Sequence, residues 1–185
     1  MPGNMLETRR LAGLPNDTAT LSGLSLTDFM RRAALGLTAR MEDLIGTGDA
    51  EGYLSAVGSA MGRRIDATFR AAKGVTAFDT RGVADVLVDY KRQVGGCFVV
   101  EEATSERIVM TGHRCPFGAD ARGCGALCQT TANIFGRIAA DNLGYAHVAL
   151  DRTMARGDKE CRVTISLVPP DDCDAPGQEF YGTEH

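Results

Sequence analysis

No stretch of this 185-residue chain approaches the run of about 18 apolar residues that a membrane-spanning helix needs. Its opening, MPGNMLETRRLAGLPND, also lacks the apolar centre of a secretory leader. The expectation is a soluble, cytoplasmic protein with no membrane partner. A surplus of positive charge is missing as well: 20 Lys and Arg stand against 24 Asp and Glu, a formal net charge of -4. A sequence-independent grip on nucleic acid needs a basic face, so direct nucleic-acid binding is not expected. Arginine pairs at 9–10, 31–32 and 63–64 leave room only for local patches. The P-loop pattern, a Gly-x-Gly-x-x-Gly after a strand, His-Glu-x-x-His and Gly-x-Ser-x-Gly are all absent, which removes the chemistries those motifs carry. There is no internal repeat and no low-complexity segment.

What is present is ordinary globular composition, 44% hydrophobic, in a chain long enough for one domain with its own core. Such a core does not need disulfide staples, so the six cysteines read as reduced thiols: core filler, reactive groups or metal ligands.

Residues 1–23 show no sustained period and read as a flexible arm. Ser25 or Thr27 opens a helix over about 24–45, with Leu26, Phe29, Ala33, Leu37, Met41 and Leu44 on one stripe. A second helix over about 50–71 carries Leu54, Val57, Met61, Ile65 and Phe69; Gly58 and Gly62 stand four apart on it and fit a close helix crossing or a ligand pressed on the backbone. A third, near 79–94, has Asp79 as N-cap and the stripe Val83, Val86, Leu87, Tyr90 and Val94. Runs at 97–103 and 106–112 predict a hairpin. A fourth helix spans about 124–142 with Leu127, Thr131, Ile134, Phe135 and Ile138 toward the core, and runs at 145–152 and 161–167 predict a second hairpin. In the last run Cys161, Val163, Ile165 and Leu167 share one face, the alternation of a half-buried strand.

The expected architecture is therefore one α+β domain over 24–170: a four-stranded antiparallel sheet of two hairpins separated by a helix, covered by the N-terminal helices. Residues 171–185 read as a polar tail in which neither Cys173 nor His185 has a task. The first two helices offer more apolar surface than so small a sheet can cover, so a homodimer through the first helix is expected, and a regulatory protein partner is possible.

The candidate site is the stretch GHRCPFGADARGCGALC at 112–128, with a further thiol at Cys161. The spacing lacks the paired Cys-x2-Cys grammar of zinc modules. Even so, Cys124 and Cys128 stand one turn apart at a helix start, where the free N–H groups favour a thiolate. Cys115 approaches on a loop stiffened by Pro116, and Cys161 approaches from a strand start. These four cysteines, with His113 as a further ligand, suit zinc or iron. The open alternatives are a reactive thiol pair and plain packing, and packing is the reading for Cys97. A nucleophile–base pair of Cys128 with His147 is the weaker catalytic option. Asp158, in the turn ARGDKEC, reads as a cap for backbone amides.

Three segments, HRCPFG at 113–118, GCGALCQTTANIFGRIAADNLGYA at 123–146 and ARGDKECRVTIS at 155–166, resemble the methanogen output domain 1 family. More distantly the chain is similar to the 4-vinyl reductase small-molecule-binding domains, which implies a vinyl-reductase-domain-like fold. The resemblance implies a sensory or output domain of a regulatory protein; the alternative it implies is an enzyme or accessory protein of tetrapyrrole-related metabolism with a small-molecule pocket. A looser similarity to the cysteine-bearing C-terminal region of SufR-like iron–sulfur repressors implies Cys115, Cys128 and Cys161 as cofactor ligands, for an iron–sulfur cluster or zinc. No winged helix is visible in residues 1–95, so the repressor's DNA reading does not carry over.

Overall fold

A computed structural model describes residues 25–172 and 174–183. The expected N-terminal arm, Cys173 and His185 lie outside the described residues. The chain forms helices α1 (Leu26–Ile45), α2 (Thr47–Lys73) and α3 (Thr80–Gln93), then strands β1 (Cys97–Ala103) and β2 (Arg107–Arg114). A short 3-10 turn at Gly118–Ala121 leads into α4 (Gly125–Leu143), followed by β3 (Tyr145–Arg152), β4 (Cys161–Ser166) and β5 (Gln178–Tyr181). Ser25 and Asp79 cap α1 and α3, each side chain accepting a hydrogen bond from the backbone N–H three residues on, which satisfies one of the free donors at a helix start.

Among the described residues all strands join one antiparallel sheet in the order β1-β2-β4-β3-β5. The two hairpins meet along β2 and β4, where Thr111 faces Arg162 and Met110 faces Val163. The sheet has five strands rather than the expected four, because residues 178–181 leave the polar tail to pair with β3. Alternation sorts the two faces. Ile108, Met110, Ala146, Val148, Val163 and Ile165 point at the helices and are buried. The outer face is polar: Glu101 accepts hydrogen bonds from Thr111 and from Arg162, and Asp151 accepts one from Thr164.

The helices form two layers over the inner face. α4 lies on β3 and β5, α3 lies on β1, and α2 with α1 stacks outside α4. The helices that chiefly cover the sheet are thus α3 and α4, with the N-terminal pair packed mainly on α4. Sandwiched this way, α4 is buried on every side from Ala132 to Ala140, and its Phe135 meets Phe98 of β1 edge to face at 5.9 Å.

The expected aliphatic stripe of α2 holds only in part: Ile65 and Phe69 pack against the core and Leu54 is half-buried, but the fully buried positions are others. Ala50, Gly58, Gly62 and Asp66 are buried, whereas Val57 and Met61 are exposed. Small residues win because backbone approach is worth more here than side-chain bulk: a Cβ on Gly58 would stand 2.7 Å from the carbonyl oxygen of Thr130 and 2.8 Å from Asn133 Cβ. Polar bonds lock the crossing. Ser59 Oγ donates to Asn133 Oδ1 at 3.2 Å, and Asn142 Nδ2 donates to the buried Asp66 at 2.7 Å, which also pairs with Arg70 at 2.8 Å.

Cys97 likewise departs from expectation. It is exposed rather than core, because it opens the edge strand β1 where a register shift at Cys97/Phe98 sets the pairing off, and its neighbour Phe98 takes the inward position.

Candidate functional site

Three elements converge beneath the 3-10 turn. β2 ends at Arg114 and hands Cys115 to the loop; α4 places Cys128 one turn inside its start; β4 begins at Cys161 on the inner face. These cysteines line one cavity of about 40 Å³, whose apolar walls are Phe98, Pro116, Phe117, Leu127, Leu150 and Val163. A water needs roughly 10–15 Å³ of such space, so the cavity has the size for a single ion or a few waters. Cys124, the residue before α4, stands on the wall of the same cavity.

The cavity also holds an ammonium. Lys91 of α3 is buried and lines the wall with the cysteines. Its Nζ donates to Thr131 Oγ1 at 2.9 Å and lies over the rings of Phe98 and Phe135, 5.3 Å from each centroid. Burial lowers the Lys91 pKa to about 8, against the opposing pull of Cys115, Cys128 and Cys161. The thiols feel the same apolar surroundings. Burial first, then Cys161 and Cys115, push Cys128 up to about 11, while Lys91 and a hydrogen bond with Thr153 work the other way. Cys161 is also raised by burial, although the Met154 N–H donates to its sulfur at 3.5 Å. The helix start was expected to favour a Cys128 thiolate; desolvation outweighs it.

The methanogen output domain 1 family matches residues 37–166. The chain belongs to that family. No curated protein sequence matches it. Among solved structures the domain is similar to a trafficking protein particle complex subunit 3 from Naegleria fowleri covalently bound to palmitic acid, with TM-score 0.61 and 12% identity, covering 77% of this chain and 95% of that one. It is also similar to the phenol-responsive sensory domain of the transcription activator PoxR with phenol, with TM-score 0.56 and 12% identity, covering 74% of this chain and 73% of that one. At such identity the likeness is one of fold, an α+β architecture shared with sensory and trafficking-complex domains.

In this output domain the donor chemistry of the cavity fits a soft metal, since four cysteines, Cys115, Cys124, Cys128 and Cys161, line one small space. Among the described residues, no group of three or more His, Cys, Asp or Glu side chains already stands at ligating geometry, so capture would require the thiols to turn inward and lose their protons. His113 is not brought into the cavity. Alternation turns it away from the inner face, where it lies half exposed, 3.7 Å from Glu160. His147 sits on the outer face beside Gly177, across the sheet from Cys128, which leaves no nucleophile–base pair. Asp158 caps as expected, accepting from the Thr153 N–H at 2.7 Å.

Cys128, Leu150 and Thr153 also line an open groove of about 840 Å³. Its other walls come from the start of α2, with Gly48, Gly52 and Ser55, and from Gln129 and Gln178. Sequence reasoning missed this groove and it missed Lys91. For Lys91 a signal existed: it follows Val83 and Leu87 at four-residue steps, a charged residue on the apolar stripe of α3.

Proposed function

We propose that this output domain is a sensory module of a regulatory protein, in which Cys115, Cys128 and Cys161 hold a metal ion or, with the loop between Cys115 and Cys124 moved outward to enlarge the cavity, an iron–sulfur cluster, whose state is passed to a partner. The observation that carries the reading is the convergence of three cysteines, from a loop, a helix start and a strand start, on one small cavity. A bound metal would supply a cross-link between those elements, and an iron–sulfur cluster would add sensitivity to oxidant. The chain's own residues do the rest. Pro116, Phe117 and Leu127 exclude water, the Met154 N–H supports a charged Cys161 sulfur, and Cys124 stands on the wall as the nearest candidate for a fourth donor.

A route to a partner runs through the loop between Cys115 and Cys124. Arg31 Nη1 of α1 lies 3.8 Å from the place a Cβ would take on Gly118, and Glu42 of α1 helps burial raise the Cys124 pKa. Any movement of that loop is felt at α1, the helix with the most exposed apolar residues.

The test is metal and acid-labile sulfide analysis of protein purified without oxygen, followed by zinc titration of the stripped protein. Stoichiometric iron and sulfide, or tightly held zinc, is expected in the wild type, with a marked loss in Cys128→Ser and none in Cys97→Ser. Protein that carries no metal and takes up none would overturn the reading. A second reading, a small-molecule pocket serving tetrapyrrole-related chemistry, has support in the groove beside Cys128; absorbance changes on titration with a porphyrin would favour it.

A further inference from the structure

Lys91 is 3% exposed, yet its ammonium has no carboxylate within ion-pairing distance among the described residues. One hydroxyl, Thr131 Oγ1, accepts from it. The rings of Tyr90, Phe98 and Phe135, at 5.3 to 5.5 Å, stabilise the cation without neutralising it. A lone buried charge is costly unless something of opposite sign faces it. Four cysteines share its cavity wall, and of these Cys115, Cys128 and Cys161 are the ones whose charge reaches Lys91. As protonated thiols they offer no charge; as thiolates around a metal they offer an excess of it. Three thiolates on a divalent ion, with Cys124 kept a neutral thiol by burial and by Glu42, leave one net negative charge, and one ammonium cancels it.

We infer that Lys91 is the internal counter-cation of the three-thiol site: it makes the loaded cavity electrically neutral and so raises affinity for a divalent metal. The inference rests on the proposed use of the three cysteines and assigns the charge balance of that site to α3. It also accounts for a lysine on an apolar stripe, since a methionine there would pack as well and would be cheaper in the empty protein.

The two states give opposite signs, which separates this role from a merely structural one. Lys91→Met replaces a buried charge by an apolar chain of similar length, so the metal-free protein should melt at the same temperature or higher. Zinc affinity, measured by competition with a chromophoric chelator on the full chain under anaerobic conditions, should fall by about tenfold or more. Lys91→Gln, which keeps a donor for Thr131 but no charge, should show the same loss of affinity. Unchanged zinc affinity in both variants, with wild type binding tightly, would overturn the role of Lys91 and leave the cysteine site standing. A parallel fall of melting temperature and affinity in both variants would also overturn it, by making Lys91 a packing residue. Absence of zinc binding by the wild type would instead overturn the cysteine site, and the counter-cation with it.

Discussion

Phe180 of β5 lies directly on Gly136 of α4: a Cβ on that glycine would fall 2.1 Å from Phe180 Cδ2 and clash with the ring. The contact docks the last strand, because Phe180 is the buried residue of β5. It is reinforced by Arg137, whose Nη2 donates to the Tyr181 carbonyl at 2.8 Å. Gly136→Ala should therefore displace Phe180 and free β5 from the sheet edge, and Phe180→Ala should destabilise by about 3–5 kcal/mol through the cavity it leaves. Chemical denaturation of both variants checks this; hydrogen exchange at 178–181 should rise in Gly136→Ala with the other strands still protected. Unchanged protection there would show that β5 is held by its hydrogen bonds alone.

That strand also marks where the sequence stops being legible. Two hairpins and four helices could be read because each carries several periods of its pattern: Val163 and Ile165 alternate with Arg162 and Thr164, and Val83 repeats at Leu87. QEFY is four residues long, too short for period two to stand out, and only Phe180 is apolar and buried. Its pairing is decided by Gly136, forty-four positions away, and no local pattern encodes that. The cysteine site was half legible for the same reason. Sequence could say that Cys115, Cys128 and Cys161 enter from three elements, but the face each presents is a tertiary matter, and so His113 was gathered with them while Lys91 was passed over.

The α2–α4 crossing depends on glycine at one end and not at the other. Gly58 faces Thr130 and Asn133 at under 3 Å from any added Cβ, whereas nothing lies within 4 Å of a Cβ on Gly52. Gly58→Ala should cost about 1–3 kcal/mol by overpacking, even though alanine favours the helix. Gly52→Ala should gain up to about 1 kcal/mol from helix propensity alone. Melting curves of the pair measure both, and equal shifts of one sign would mean that the crossing is loose enough to absorb a methyl group.

Acid should loosen the outer face of the sheet. Hydrogen bonds from Thr111 and Arg162 hold the Glu101 carboxyl below its ordinary pKa. A carboxylate whose folded pKa is depressed contributes stability that is present above its unfolded pKa and is lost as pH falls through the folded value. Stability measured by urea should thus fall from the ordinary carboxylate range downward. Glu101→Gln should flatten part of that slope and leave stability at pH 9 little affected by pH; a variant whose acid limb matches the wild type would show that Glu101 is not coupled to folding.

The last prediction concerns α1. Met30, Leu37 and Leu44 recur every seven residues and are 57%, 65% and 82% exposed, with Leu26 and Phe29 beside them. On α1 only Thr38 is buried, so the helix touches its own domain along a thin line and turns its apolar seam outward. A seven-residue repeat of this kind suits another helix running alongside. A second copy of the chain supplies the same seam, and two-fold pairing of identical surfaces is the commonest closed assembly. The expected outcome is a homodimer through α1 in light scattering at micromolar concentration, reduced to a monomer of 19.7 kDa by Leu37→Glu. Because residue 37 carries little of the domain's own packing, that variant should keep the wild-type melting profile when the two are compared at concentrations where both are monomeric. A strict wild-type monomer would remove the dimer and leave the seam for a helix of a different protein; a dimer indifferent to Leu37→Glu would move the interface away from α1.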